Sequence, residues 1–170
     1  MSPSTATIEE QHLQAGHNRS LDFGLVLLRI LPGFMIFHGF KKAGDFDGFV
    51  ATVAKMPIGE LAPTFFAFLV VAGEIVLPIL VAVGFFTRIS AFLESLMMLF
   101  IWLLVPVAGS FAQGGGLFGE TGGLVGENAI AFLFALFPLI FTGPGRHSFD
   151  HNVVKKAPAD SFLGKLKKFV

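Results

Sequence analysis

The chain has 170 residues, 54% of them hydrophobic and 14% charged, with a mean hydropathy of +0.74, a balance outside that of a soluble domain. Its formal net charge is zero and its basic residues form no continuous face, so no nucleic acid is expected as a partner. Without Cys or Tyr the chain has no disulfide, thiolate metal site, thiol redox chemistry or tyrosyl radical of its own, and in a redox pathway such chemistry would sit on a partner.

Residues 1–20, MSPSTATIEEQHLQAGHNRS, form a polar N-terminal tail. Glu9 and Glu10 are foreign to a secretory leader, and no small-residue cleavage site follows the first apolar segment, so that segment reads as a retained span and the tail as mobile. Apolar segments follow at about 21–40, 61–86, 89–111 and 124–142, each near the ~20 residues a helix needs to cross a bilayer. They are apolar on every face, whereas barrel strands alternate. The expected fold is all-α, an integral membrane four-helix bundle over residues 21–150, with a basic C-terminal tail at 151–170. Thr87 and Arg88 alone join the second and third segments, which forces an antiparallel hairpin.

Arg19, Arg88, Arg146, Lys155, Lys156, Lys165, Lys167 and Lys168 fall on one side of such a bundle, and Lys41, Lys42 and Lys55 on the other. The excess predicts cytoplasmic termini. Pro32, Pro78 and Pro106 remove helical donors for the carbonyls of Leu28, Glu74 and Trp102, which predicts three kinks or openings. Bent packing accounts for all three; at Glu74 a carboxylate beside its own freed carbonyl also suggests a polar pocket. The glycine-rich stretch QGGGLFGETGG, 113–123, lacks the ending of a phosphate loop and follows no strand. The last residues, SFLGKLKKFV, read either as an amphipathic helix on an anionic leaflet or as an unstructured basic tail.

A charge at the bilayer centre costs roughly 2.5–3.5 kcal/mol, so such residues face the bundle interior and pair. Counted at ~1.5 Å per residue, Arg29, Glu74 and Glu94 lie about 12, 18 and 8 Å from the cytoplasmic helix ends and form one layer. Arg29 is expected to pair with Glu74 or Glu94, its fork reaching both. Locking the helices would explain that pairing; so would a protonatable acid suited to proton-coupled or quinone chemistry. His38, Lys41, Lys42, Glu127 and Asn128 form a second, outer layer, either an interfacial anchor or a seat for a quinone carbonyl or an anion. His38 lacks the second intramembrane His that haem ligation would need. No metal site and no resident cofactor are expected, a quinone remaining open, and catalytic residues are unassigned.

The first span ends in FHGFKKAGDFDGF, the second carries its glutamate in VVAGEIVLPILVAVGFFTR, and the fourth ends in FTGPGRHSFD. In this order the motifs, over roughly Leu21–Asp150, resemble the DoxX family of small bacterial membrane proteins. The resemblance implies a multi-pass protein of the bacterial inner (plasma) membrane, with the lipid bilayer as its first partner. Some members are subunits of thiosulfate:quinone or quinol oxidoreductase systems or of redox-stress complexes. It therefore implies an accessory or anchor subunit of a quinone-linked oxidoreductase with soluble redox partners. The alternative is a non-enzymatic protein that carries or stabilises a small molecule, lipid or proton pathway. Gly24, Gly33, Gly73 and Gly84 permit close helix contacts within one chain or between copies, leaving a homo-oligomer open.

Overall fold

The computed structural model describes residues 5–56, 58–112, 114 and 128–169, and among these no strand occurs. Helix α1 (Thr5–Gly33) begins inside the polar segment expected to be mobile. Extending an existing helix needs no new nucleus, so the span carries its polar flank with it. Near Pro32 the chain tightens: Phe34 N–H donates to Leu31 O at 3.2 Å and Met35 N–H to Pro32 O at 2.9 Å. Helix α2 (Ile36–Gly44) then resumes. The kink expected at Pro32 thus falls within a single apolar span, Arg19–Gly44.

Helix α3 (Phe46–Val53) is capped by Asp45, whose carboxylate accepts from Gly48 N–H at 3.2 Å. After a 3₁₀ turn at Gly59–Leu61, α4 (Pro63–Val83) opens with proline, which needs no donor there. It runs through Pro78 and closes on Gly84 at φ 76°. Glycine adopts this left-handed conformation without steric cost, and here it turns the chain directly into α5 (Thr87–Trp102). Pro106 produces a π turn, Leu103–Val107, in which the wider spacing absorbs the missing donor. Short α6 (Ala108–Ala112) continues it. Helix α7 (Asn128–Thr142) follows, and Glu127 lies outside the described residues. Beyond it come a π turn at Asp150–Val154, α8 (Phe162–Lys165) and a 3₁₀ turn at Leu166–Phe169. The C-terminal segment therefore forms separate helical turns.

Arg19–Gly44, Pro63–Val83 and Thr87–Val105 are long and apolar enough to cross a membrane, and Ala129–Thr142 is a shorter apolar helix. Helix α4 packs against α1, α2, α3 and α5, and α7 against α5 and α1. Large apolar side chains such as Phe23, Phe37, Phe68, Phe92, Phe134 and Phe141 point outward, while Arg29, Glu74, Glu94 and Asp150 are among the largest fully buried side chains. Water-soluble domains distribute these residue types the other way. In lipid the arrangement is the stable one, because hydrocarbon solvates phenylalanine and the bundle interior must solvate charge.

Candidate functional site

Buried charge gathers in two places. The first lies at the end of the bundle holding the start of the first span, the α4–α5 turn and the loop after α7, here the proximal end. The three-residue turn Gly84–Phe86, with Thr87 and Arg88 inside α5 rather than in the link, leaves the first N–H groups of α5 without helical partners, and Phe86, at φ 47°, supplies no side-chain cap. Asp150, fully buried, takes that role from more than sixty residues away. Its Oδ1 accepts from Phe86 N–H at 2.8 Å, and its Oδ2 from Thr87 N–H at 2.9 Å and Thr87 Oγ1 at 3.0 Å. Asp150 N–H in turn donates to Gly84 O at 2.9 Å.

Arg29 joins this knot. A helical Cα–Cβ bond leans toward the helix N-terminus, so the arginine reaches back proximally along α1. Its Nε donates to Leu25 O at 3.4 Å and its Nη2 to His147 O at 2.5 Å, and Asp150 lies close enough to act on it electrostatically. Gly84 is the floor of the seat: a Cβ there would collide with Arg29 Nη1 and meet Ser148 Cβ at 2.6 Å.

The second place is the middle of the bundle. Glu74 on α4 pairs with Lys42 on α2, Nζ to Oε1 at 2.5 Å. The expected partner, Arg29, bonds elsewhere. Helical lean explains the exchange: on antiparallel helices, Lys42 leans back into the bundle while Glu74 leans distally to meet it. Gly39 permits the approach, since a Cβ there would stand 2.6 Å from Ile75 Cγ1 and 3.1 Å from the Glu74 carbonyl carbon. One turn later Lys42 arrives over Glu74, with its Nζ also 4.9 Å from the Phe49 ring centroid.

Glu94 on α5 is 0% exposed and lies within electrostatic reach of Glu74. Among the described residues neither of its oxygens has a hydrogen-bond partner, nor do Glu74 Oε2 and Ser95 Oγ. An ionised carboxylate so placed costs several kcal/mol unless something binds it. Chemically, the cluster offers a base and two acids with spare hydrogen-bonding capacity. Such a set can take up and release a proton, or hold a carbonyl or hydroxyl group.

The single layer of Arg29, Glu74 and Glu94 is therefore divided: Arg29 belongs to the proximal knot, and Glu74 and Glu94 to a central cluster that recruits Lys42 from the outer layer. His38 and Lys41 are exposed on α2, and Asn128 is the first residue of α7. Glu127 lies outside the described residues. Asp150, Ser95 and Gly39 are not among the site residues expected from the sequence. The signal for Asp150 was a short turn between apolar helices, which must find acceptors for its N–H groups outside itself. Among the described residues no group of three or more His, Asp or Glu is placed to hold a metal ion.

Apolar helices, an outward-facing aromatic surface and a charged interior define an integral membrane protein of helical-bundle type. The DoxX family model matches residues 24–107, from the first span to the π turn after α5. The chain belongs to the DoxX family. No curated protein and no solved structure matches it.

Proposed function

We propose that this chain is a four-span protein of the bacterial inner membrane with both termini in the cytoplasm. It acts as the membrane subunit of a quinone-linked oxidoreductase or redox-stress assembly, and its own contribution is proton exchange at Glu94, Glu74 and Lys42. One observation carries the reading: Glu94 is fully buried within electrostatic reach of a second carboxylate, with neither oxygen bonded among the described residues. Reducing a quinone to a quinol consumes two electrons and two protons. A soluble redox partner supplies the electrons, and a buried carboxyl group that loads and unloads protons suits the other half of that chemistry.

Affinity purification from native membranes in mild detergent, with mass spectrometry of co-purifying chains and extracted quinone, tests the assembly. Stoichiometric redox proteins or quinone are the expected result. Recovery of neither, from a preparation that preserves a known membrane complex, overturns the subunit reading. The central cluster then favours the second reading, a non-enzymatic proton or small-molecule pathway, because its acid and base groups are complete within the chain.

A further inference from the structure

A concavity at the proximal end is lined by Asp22, Arg88, Thr142, Arg146, His151 and Lys155, among others. Three lysines and arginines and one histidine surround a single acid, and that acid is already engaged. Asp22 Oδ1 accepts from Arg146 N–H at 3.0 Å, and its Oδ2 lies 3.7 Å from Arg146 Nε. Arg88 and Lys155 have no ion pair or side-chain hydrogen bond among the described residues. Arg88 is nonetheless positioned. Gly143, at φ 72°, leaves its Cα open, and a Cβ there would stand 3.2 Å from Arg88 Nε, so the arginine lies across the loop backbone. The N-terminus of α5 is occupied by Asp150, which leaves the side-chain cations to meet any incoming anion.

The surroundings identify what anion fits. Asp22 lies near the start of the first span, Arg88 at the start of the third, and Thr142 at the end of α7. Their chain neighbours Leu21, Ile89 and Phe141 are 53%, 42% and 66% exposed. A cationic hollow framed by lipid-facing apolar side chains stands at headgroup depth. It suits a molecule with an anionic phosphate and acyl chains better than a free anion, and it lies on the face that the charge count turns toward the cytoplasmic leaflet.

We propose that this concavity binds the phosphate of an anionic phospholipid, with Arg88 and Lys155 as its two principal contacts. The guanidinium fork meets two phosphate oxygens and the ammonium acts as a point charge. The site is separate from the central carboxylates and does not depend on their role.

The test compares phosphatidylglycerol with phosphatidylcholine at equal concentration, bound to the full-length protein in non-ionic detergent and read by native mass spectrometry. Wild type should retain the anionic lipid preferentially. Arg88→Gln with Lys155→Gln should reduce that preference about tenfold, while Lys165→Gln with Lys167→Gln in the terminal segment should leave it unchanged. An equal reduction in both variants would assign the effect to general charge and overturn the site. Excess inorganic phosphate should not displace the lipid; displacement at similar affinity would make the site one for free phosphate and overturn the lipid assignment. Photocrosslinking of wild type with a headgroup-labelled phosphatidylglycerol keeps the test open should the double variant misfold. Label on peptides containing Arg88 or Lys155 is expected, and label confined to other peptides refutes the proposal.

Discussion

The proximal knot and the central cluster bury charge equally well and treat it in opposite ways. Asp150 is fully buried and each of its oxygens accepts a hydrogen bond; Glu94 is fully buried and, among the described residues, neither oxygen accepts any. Arg29 spends two donor nitrogens on carbonyls and, among the described residues, leaves Nη1 without a partner. Burial alone therefore does not distinguish the two places. Completeness of hydrogen bonding does: a satisfied network rigidifies, whereas an unsatisfied one costs stability.

The largest effect should come from breaking the satisfied side. Asp150→Ala removes the acceptor for two backbone N–H groups and Thr87 Oγ1 and takes away a negative charge that acts on buried Arg29. Each buried donor left without its acceptor costs about 1–3 kcal/mol, and the three together should lower the unfolding temperature of the purified protein by about 10 °C. A midpoint within a degree of wild type would show that Asp150 is not the cap that holds the hairpin. Gly84→Ala strikes the same knot from the other side. It forces a Cβ into a left-handed conformation and into the space taken by Arg29 and Ser148, and about 2 kcal/mol of destabilisation is expected. A neutral result in the same thermal assay would mean that the knot yields without loss.

The same contrast explains what the sequence could and could not reveal. Three of the four expected spans were legible as helices long and apolar enough to cross a membrane, because hydropathy and length decide them almost unaided, and Pro32 announced its kink because a missing donor acts locally. Lys42–Glu74 was not legible. Depth counted along each helix places Cα atoms, whereas Arg29 and Lys42 are long side chains whose lean along the helix separates one from Glu74 and delivers the other. Asp150 escaped because it lies beyond the last apolar segment and acts across sixty residues of sequence. The motifs GFFTR and GPGRHSFD nevertheless contain both partners: the Thr87 of one is capped by the Asp150 of the other.

On the central side, Gly39→Ala should cost about 1–2 kcal/mol, since the added methyl group meets Ile75 and the Glu74 backbone where α2 and α4 are closest. The specific consequence is a loosened Lys42. Acetylation of Lys42 by an amine reagent, measured against exposed Lys41 in the same peptide digest, should rise in the variant. Unchanged relative labelling would show that Gly39 does not control the Lys42–Glu74 approach.

Glu94→Gln gives the smallest stability effect and the sharpest separation of the two regions. The amide keeps the shape of the side chain, removes the possibility of a buried negative charge near Glu74, and breaks no hydrogen bond made by the carboxylate. Unfolding should shift by less than about 1 kcal/mol, or move toward greater stability, in contrast to Asp150→Ala. Infrared difference spectra across a pH titration should lose the carboxylic C=O band assigned to Glu94. A destabilisation comparable to that of Asp150→Ala would make Glu94 a second structural lock. Retention of the band would place proton exchange on another group. A stable variant without the band is what a carboxylate kept for its chemistry predicts, because substitution removes its proton while leaving the helices it sits between in place.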